Sequence, residues 1–143
     1  MPDTIPLEII TPTRVLYSGD VTMFRAPGTS GLFQVLPMHH PLMSTLEIGK
    51  IDYRDTEGND HVAATSGGYV EVTKSGITVL ATTAEFASEI DVERAQEALE
   101  RAKAHLSGGV SGDTIEQRMD NQSRAELAVK RAMNRLQLLS KGI

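Results

Sequence analysis

Two rhythms divide the chain. Up to about residue 83, apolar and polar positions alternate in short runs: PLEIIT, RVLYSG, VTMFRAP, LFQVLP, KIDYRD, HVAATSG, YVEVTK and ITVLATT. Successive side chains of a strand point to opposite faces, so alternation of this kind marks half-buried strands. Gly, Pro, Asp and Asn punctuate the runs at roughly 8–12-residue spacing, the pattern of an all-β sandwich or barrel. Glu57-Gly58-Asn59-Asp60 and Lys74-Ser75-Gly76 each separate two runs and predict hairpins, because Gly and Asn supply the positive φ that tight turns need. Pro37 and Pro41 predict a corner or loop, since proline cannot donate to a central ladder.

From Asp91 the period lengthens. DVERAQEALERAKAHL is built from good helix formers, and Ala95, Ala98, Leu99, Ala102 and Leu106 follow helical spacing. A glycine-rich break, SGGVSGD, follows. A second helical run extends from about Thr114 to Ser140, with Ala125, Ala128, Ala132, Leu136 and Leu139 as its apolar stripe. Asp113, with Glu116 three residues on, is placed to displace Thr114 as the N-cap, and Lys141-Gly142 forms the stop. The prediction is a ten-stranded β-sandwich over residues 1–85 followed by an antiparallel α-helical hairpin over residues 90–143. The facing stripes of that hairpin are alanine-rich. At about 25 cal/mol per Å² of apolar surface, an alanine seam stabilises little. The hairpin is therefore expected to dock, undock or extend according to what it touches.

Composition narrows the function classes. With 143 residues and 4% aromatics, the core must be mostly aliphatic. There is no cysteine, hence no disulfide framework and no thiolate chemistry. No basic-then-apolar leader opens the sequence, and no apolar run approaches the roughly 20 residues that span a bilayer, so any membrane association is expected through partner proteins. The formal net charge of −5 argues against a nucleic-acid binder. That charge is uneven: residues 1–90 carry 5 Lys+Arg against 11 Asp+Glu, residues 91–143 carry 9 against 8. Most cations of the tail are arginines, the side chain suited to bidentate phosphate or carboxylate binding.

His39-His40 invites a metal, but adjacent strand residues face opposite ways and no further ligand is spaced to complete a set. Ser66-Gly67-Gly68 lacks the contexts of a nucleophile elbow and of a phosphate loop; glycines in a β pattern more often mark close backbone approach. No nucleophile with an adjacent base is visible, so no catalysis is expected of this chain alone. Asp91 in EIDVERA is explained by N-capping and the helix dipole. The arginines are not. Arg94 and Arg101 lie two turns apart on one helical face, and Arg131 and Arg135 one turn apart on another. Folded back antiparallel, the two pairs can converge, and four guanidinium groups repel unless an anion sits among them. A nucleoside triphosphate is the natural candidate, with Asp91 and Glu85 accepting from its adenine amino group or ribose hydroxyls. Ordinary helix-surface charge is the alternative.

Four motifs in order carry a family resemblance: LPMHHPL at 36–42, SGGYVEV at 66–72, EIDVERA at 89–95 and RAELAVKRAMNRL at 124–136. Together they resemble the epsilon subunits of bacterial F-type ATP synthases over nearly the whole chain. The resemblance implies a β-sandwich that bridges the gamma subunit and the membrane rotor (c) ring. It implies a C-terminal hairpin that meets the catalytic alpha and beta subunits, on the cytoplasmic face of the bacterial inner membrane. It implies a non-catalytic part in coupling ion translocation to ATP synthesis, with no required cofactor and ATP as a regulatory ligand. Members that bind ATP use a set which falls here on Glu85, Ile90, Asp91, Arg94, Ala95, Arg101, Arg131 and Arg135. The rotor-ring contact falls on Leu32, Pro37, Met38 and His39. Here the sequence departs from the family: the customary glutamate is Leu32, a glycine is Gln34 and the loop glycine is Met38. The stretch 107–123 is also longer than in many members. The rival reading is a small β-sandwich binding module, or a cupin-like metalloenzyme, with an unrelated helical tail.

Overall fold

The structure, a computed structural model, describes residues 3–108, 112 and 114–140. The expected Asp113 cap and Lys141-Gly142 stop lie outside the described residues. The chain forms two compact units that divide between residues 88 and 89.

The first unit holds nine strands, not ten: β1 (Ile5–Ile10), β2 (Val15–Gly28), β3 (Gly31–Val35), β4 (Leu42–Leu46), β5 (Gly49–Asp55), β6 (Asp60–Thr65), β7 (Gly68–Thr73), β8 (Gly76–Ala81) and β9 (Ala84–Phe86). RVLYSG and VTMFRAP run together as β2. Gly19-Asp20 looks like a turn in sequence, yet both residues stay in register with β1, Gly19 opposite Leu7 and Asp20 opposite Pro6. The strand-start half of β2 pairs with β1, and its later half pairs with β5 and β3. This one long strand thereby joins a β1-β8-β7-β4 layer to a β3-β2-β5-β6-β9 layer. β1 and β8 run parallel; the remaining neighbours are antiparallel.

The alternation does what it promised. β1 buries Ile5, Leu7 and Ile9 and exposes Pro6 and Glu8; β7 and β8 bury Val70, Val72, Ile77 and Val79. Phe24, Val35, Ile51 and Tyr53 complete an interior from which water is excluded. Gly68 shows why SGG cannot be read as a nucleophile or phosphate loop. Its φ is +145°, and a Cβ there would meet the Leu80 carbonyl oxygen at 2.1 Å. The motif exists so that β7 can lie against β8. The β5–β6 turn is tied by Asp55, whose Oδ1 accepts from the Glu57 and Asn59 amides at 2.9 Å each.

The second unit holds α1 (Val92–Ser107) and α2 (Ile115–Ser140). Asp91 caps α1: its Oδ1 accepts from the Arg94 amide at 3.1 Å. Thr114 itself caps α2, its Oγ1 accepting from the Gln117 amide at 3.1 Å. Thr114 and Gln117 thus occupy the first and last positions of a capping-box sequence. The helices meet through small side chains. Ala95, Ala102, Ala125 and Ala132 are buried, and near the C-terminus Leu138 is buried more fully than the expected Leu139.

Candidate functional site

The hairpin seam sets its own register. One end of the groove between the helices is floored by Ala98, Ala102, Ala125 and Ala128, and rimmed by Arg101 and His105 from α1 and Asn121 and Arg124 from α2. Its volume is about 480 Å³. The helices run antiparallel, so two turns back along α1 correspond to two turns forward along α2. Ala102 and Ala125 become Ala95 and Ala132, both buried. Arg101 and Arg124 become Arg94 and Arg131. The hairpin therefore carries two tiers of arginine, about 10 Å apart along the axis at 1.5 Å per residue. The loop-side tier is Arg101 with Arg124. The other is Arg94 with Arg131, and Arg135 lies one turn further along α2.

This arrangement divides the sequence-derived set. Asp91, Arg94, Ala95, Arg131 and Arg135 share the end of the hairpin where α1 begins. Arg101 stands in the other tier. Ile90 is buried, and Glu85 belongs to β9 of the sandwich unit, in register with Ala64. Arg124 and His105 escaped the sequence reading. Their signal was present, His105 four residues after Arg101 and Arg124 seven before Arg131, but it becomes visible only once the seam fixes which helix positions face each other.

The electrostatics of the two units differ. In the sandwich, charges are matched across strands. Arg25 holds the buried carboxylate of Asp52 through Nε at 3.2 Å and through Nη2; Arg54 holds Asp60 at 2.8 Å; His61 Nε2 lies 2.8 Å from Asp55 Oδ2. The hydrogen bond from His61 holds the Asp55 carboxyl below its ordinary range, and that from Arg54 does the same for Asp60. Burial pushes the Tyr53 phenol up, with the Tyr17 ring tilted against it at 4.3 Å between centroids. In the hairpin, Arg124 pairs with Asp120 at 3.1 Å, both exposed. Among the described residues, no carboxylate pairs with Arg94, Arg101 or Arg131. Unmatched guanidinium groups on facing helices are what an anion site needs, and only one Asp91 oxygen is committed to the cap.

The second predicted site is divided by β3. Leu36 and Met38 (67% exposed) present apolar side chains to solvent in the loop between β3 and β4, whereas Leu32 (65%) lies at the other end of β3, beside the β2–β3 turn. Met38 has φ +72°, the left-handed region where glycine is at ease. The His39 amide donates to the Leu36 carbonyl at 3.1 Å, and His39 Nδ1 lies 2.7 Å from the His40 carbonyl oxygen. Pro37 stands in the same turn. Among the described residues no three His, Cys, Asp or Glu side chains gather as a metal group, and no helix is long and apolar enough to cross a membrane.

Known proteins share this organisation. Residues 4–87 match the family model described as "ATP synthase, Delta/Epsilon chain, beta-sandwich domain", and residues 88–140 match its "long alpha-helix domain". The ATP synthase epsilon chain of Syntrophomonas wolfei is 41% identical over 138 residues, covering 96% of each chain. That of Carboxydothermus hydrogenoformans is 47% identical over 107 residues, 75% of this chain and 79% of the relative. The fold also matches a chain in the cryo-EM structure of the Euglena gracilis mitochondrial ATP synthase, with a TM-score of 0.78 at 20% identity, covering 97% of this chain and 83% of that one. These matches set aside the cupin-like and unrelated-module readings. The chain belongs to the ATP synthase delta/epsilon family, among its epsilon chains.

Proposed function

We propose that this epsilon chain is a non-catalytic part of the central stalk whose hairpin reads ATP and whose sandwich transmits rotation. It is a component of the F-type ATP synthase, a membrane-associated complex. Within that complex the sandwich bridges the gamma subunit and the c ring, at the cytoplasmic face of the cell membrane. The exposed apolar side chains support the ring contact: Leu36 and Met38 beside Pro37 and His39 in the β3–β4 loop, and Leu32 at the start of β3, gain from a partner and not from solvent.

The observation that carries the regulatory reading is the Arg94–Arg131 tier on an alanine seam. Folded and holding ATP, the hairpin permits turnover. Extended along gamma, its basic second helix meets the alpha and beta subunits and inhibits hydrolysis. A ligand that binds only the folded hairpin biases this equilibrium by its differential affinity. Asp91 and Glu85 serve the adenine and ribose; Arg94, Arg101, Arg131 and Arg135 serve the phosphates; Ile90 and Ala95 give the base apolar surface. No phosphate-loop sequence is present, so ATP is sensed and not hydrolysed.

Calorimetric titration of the whole chain with ATP is expected to saturate, and Arg94→Ala or Arg131→Ala to weaken binding at least tenfold. Wild-type protein that gives no heat at millimolar ATP would sink the sensor.

A further inference from the structure

We propose that Met38, in the loop between β3 and β4, and Met43, in β4 just after it, form a redox modification site. A hydroperoxide converts both thioethers to sulfoxides, which lowers the affinity of the sandwich for its partner subunits without unfolding it. The sequence contains no cysteine and no tryptophan. Methionine is therefore its only sulfur, and the side chain most open to a two-electron oxidant of this class. Among the described residues of the sandwich, the methionines are not placed as core filler. Met23 is buried, at 8% exposure, whereas Met38 is 67% and Met43 71% exposed. A flexible thioether ordinarily fills irregular gaps in a core; here two of the three stand outside it.

Local structure keeps both side chains there. Met38 occupies the left-handed region in a turn closed by the His39 amide on the Leu36 carbonyl. A glycine would suit that backbone better and would leave nothing to oxidise. Met43 and Thr45 take the exposed face of β4 while Leu46 is buried. Thr45 stands opposite Tyr69 of β7, and Tyr69 opposite Leu80 of β8. Met43, Tyr69 and Leu80 thus share one sheet face, each more than half exposed. Apolar surface of this kind gains from a partner. The chemistry balances without help from the protein. The thioether sulfur attacks one peroxide oxygen, the S–O bond forms as the O–O bond breaks, and sulfur gives up two electrons. The sulfur-bound hydroxyl then passes its proton to the departing hydroxide, which leaves as water. The product is polar, and burying its oxygen without a donor weakens any contact the thioether made. Both sulfurs lie outside the core, so the fold is kept. The effect on affinity rests on the reading that the sandwich joins gamma and the c ring; the modification itself does not.

The test treats the whole chain with hydrogen peroxide and follows each methionine by peptide mass spectrometry. Met38 and Met43 are expected to oxidise about tenfold faster than Met23 or more, in line with exposure. The thermal transition of the sandwich should stay in place. Affinity for a gamma and c-ring complex lacking this subunit should fall about fivefold, and return when the two methionine sulfoxide reductases, one for each epimer, are added. Met119 and Met133 of α2 are exposed too and oxidise alongside. The double variant Met38→Leu with Met43→Leu separates the two units, because it keeps both helix methionines. It is compared only with its own untreated form, and peroxide should change its affinity less than about twofold. A peroxide-induced loss as large as that of the wild-type chain would overturn the proposal, as would Met38 and Met43 that oxidise no faster than Met23. So would a sandwich that unfolds on oxidation. Untreated chain that does not bind the complex breaks the contact reading of the preceding section, while selective oxidation of Met38 and Met43 still supports the modification site.

Discussion

The sandwich and the hairpin bury different things. In the sandwich, Phe24, Tyr53, Ile51, Leu7 and five or more valines are sealed from water, and the buried Asp52 is held by Arg25. In the hairpin, four alanines make the seam and three arginines face outward without a carboxylate. A large aliphatic side chain contributes about 1.5–3 kcal/mol on burial, and an alanine methyl a fraction of that. The two units are therefore built for different lifetimes. One holds a geometry; the other holds it conditionally.

Substitutions ought to expose that difference. Phe24→Ala removes a ring with no exposed surface and is expected to destabilise the sandwich by about 3–5 kcal/mol, read as a lowered urea midpoint. An equal midpoint in wild type and variant would mean that the sandwich core does not carry its stability. Ala102→Leu forces a large side chain into the seam and is expected to cost the hairpin about 1–3 kcal/mol, lowering helical ellipticity on warming while the sandwich transition stays put. If instead both transitions moved together, the units would not be energetically separate. Met38→Gly relieves a left-handed backbone and should stabilise the sandwich by about 1 kcal/mol, while weakening assembly with the c ring through loss of the exposed side chain. Tighter assembly on that change would remove Met38 from the contact.

The smallest effect concerns acid. Asp55 and Asp60 have depressed carboxyl pKa values, through His61 and Arg54 respectively. A depressed folded value means that the stabilisation is present above the unfolded value near pH 4 and is lost as pH falls through the folded one. The sandwich should thus lose stability below about pH 4, and Asp60→Asn should flatten that limb. The hairpin, whose groove holds no carboxylate, should show no matching loss from its seam. A thermal-melt series from pH 7 to pH 3 decides it.

Most of the architecture was legible because alternation and helical spacing are direct consequences of burial. Two strands were not. Leu42–Leu46 is short and follows Pro41, and Ala84–Phe86 spans three residues, too few for a period to show. The continuity of β2 was hidden by Gly19-Asp20, a turn-like pair that tertiary pairing with β1 keeps extended. At the start of α2 both Asp113 and Thr114 suit an N-cap, and propensity alone cannot rank such neighbours; the Thr114 hydroxyl accepts from the Gln117 amide. In the site, residue types were readable and partnerships were not. Arg94 and Arg101 share a helix face, but which arginine of α2 each meets depends on the seam register. That register is written in Ala95, Ala102, Ala125 and Ala132 only after they are seen to be buried together.

The central claim is that the hairpin is a ligand-set switch beside a permanent scaffold. Hydrogen exchange on the whole chain, with and without saturating ATP, tests it most directly, since amides report local opening free energies. The account predicts that amides of Val92–Ser107 exchange through low-energy openings without ATP and slow at least tenfold with it. Amides of β1, β7 and β8 should be strongly protected and unchanged. Hairpin amides as protected as those strands in the absence of ATP, with no further slowing on its addition, would contradict the account.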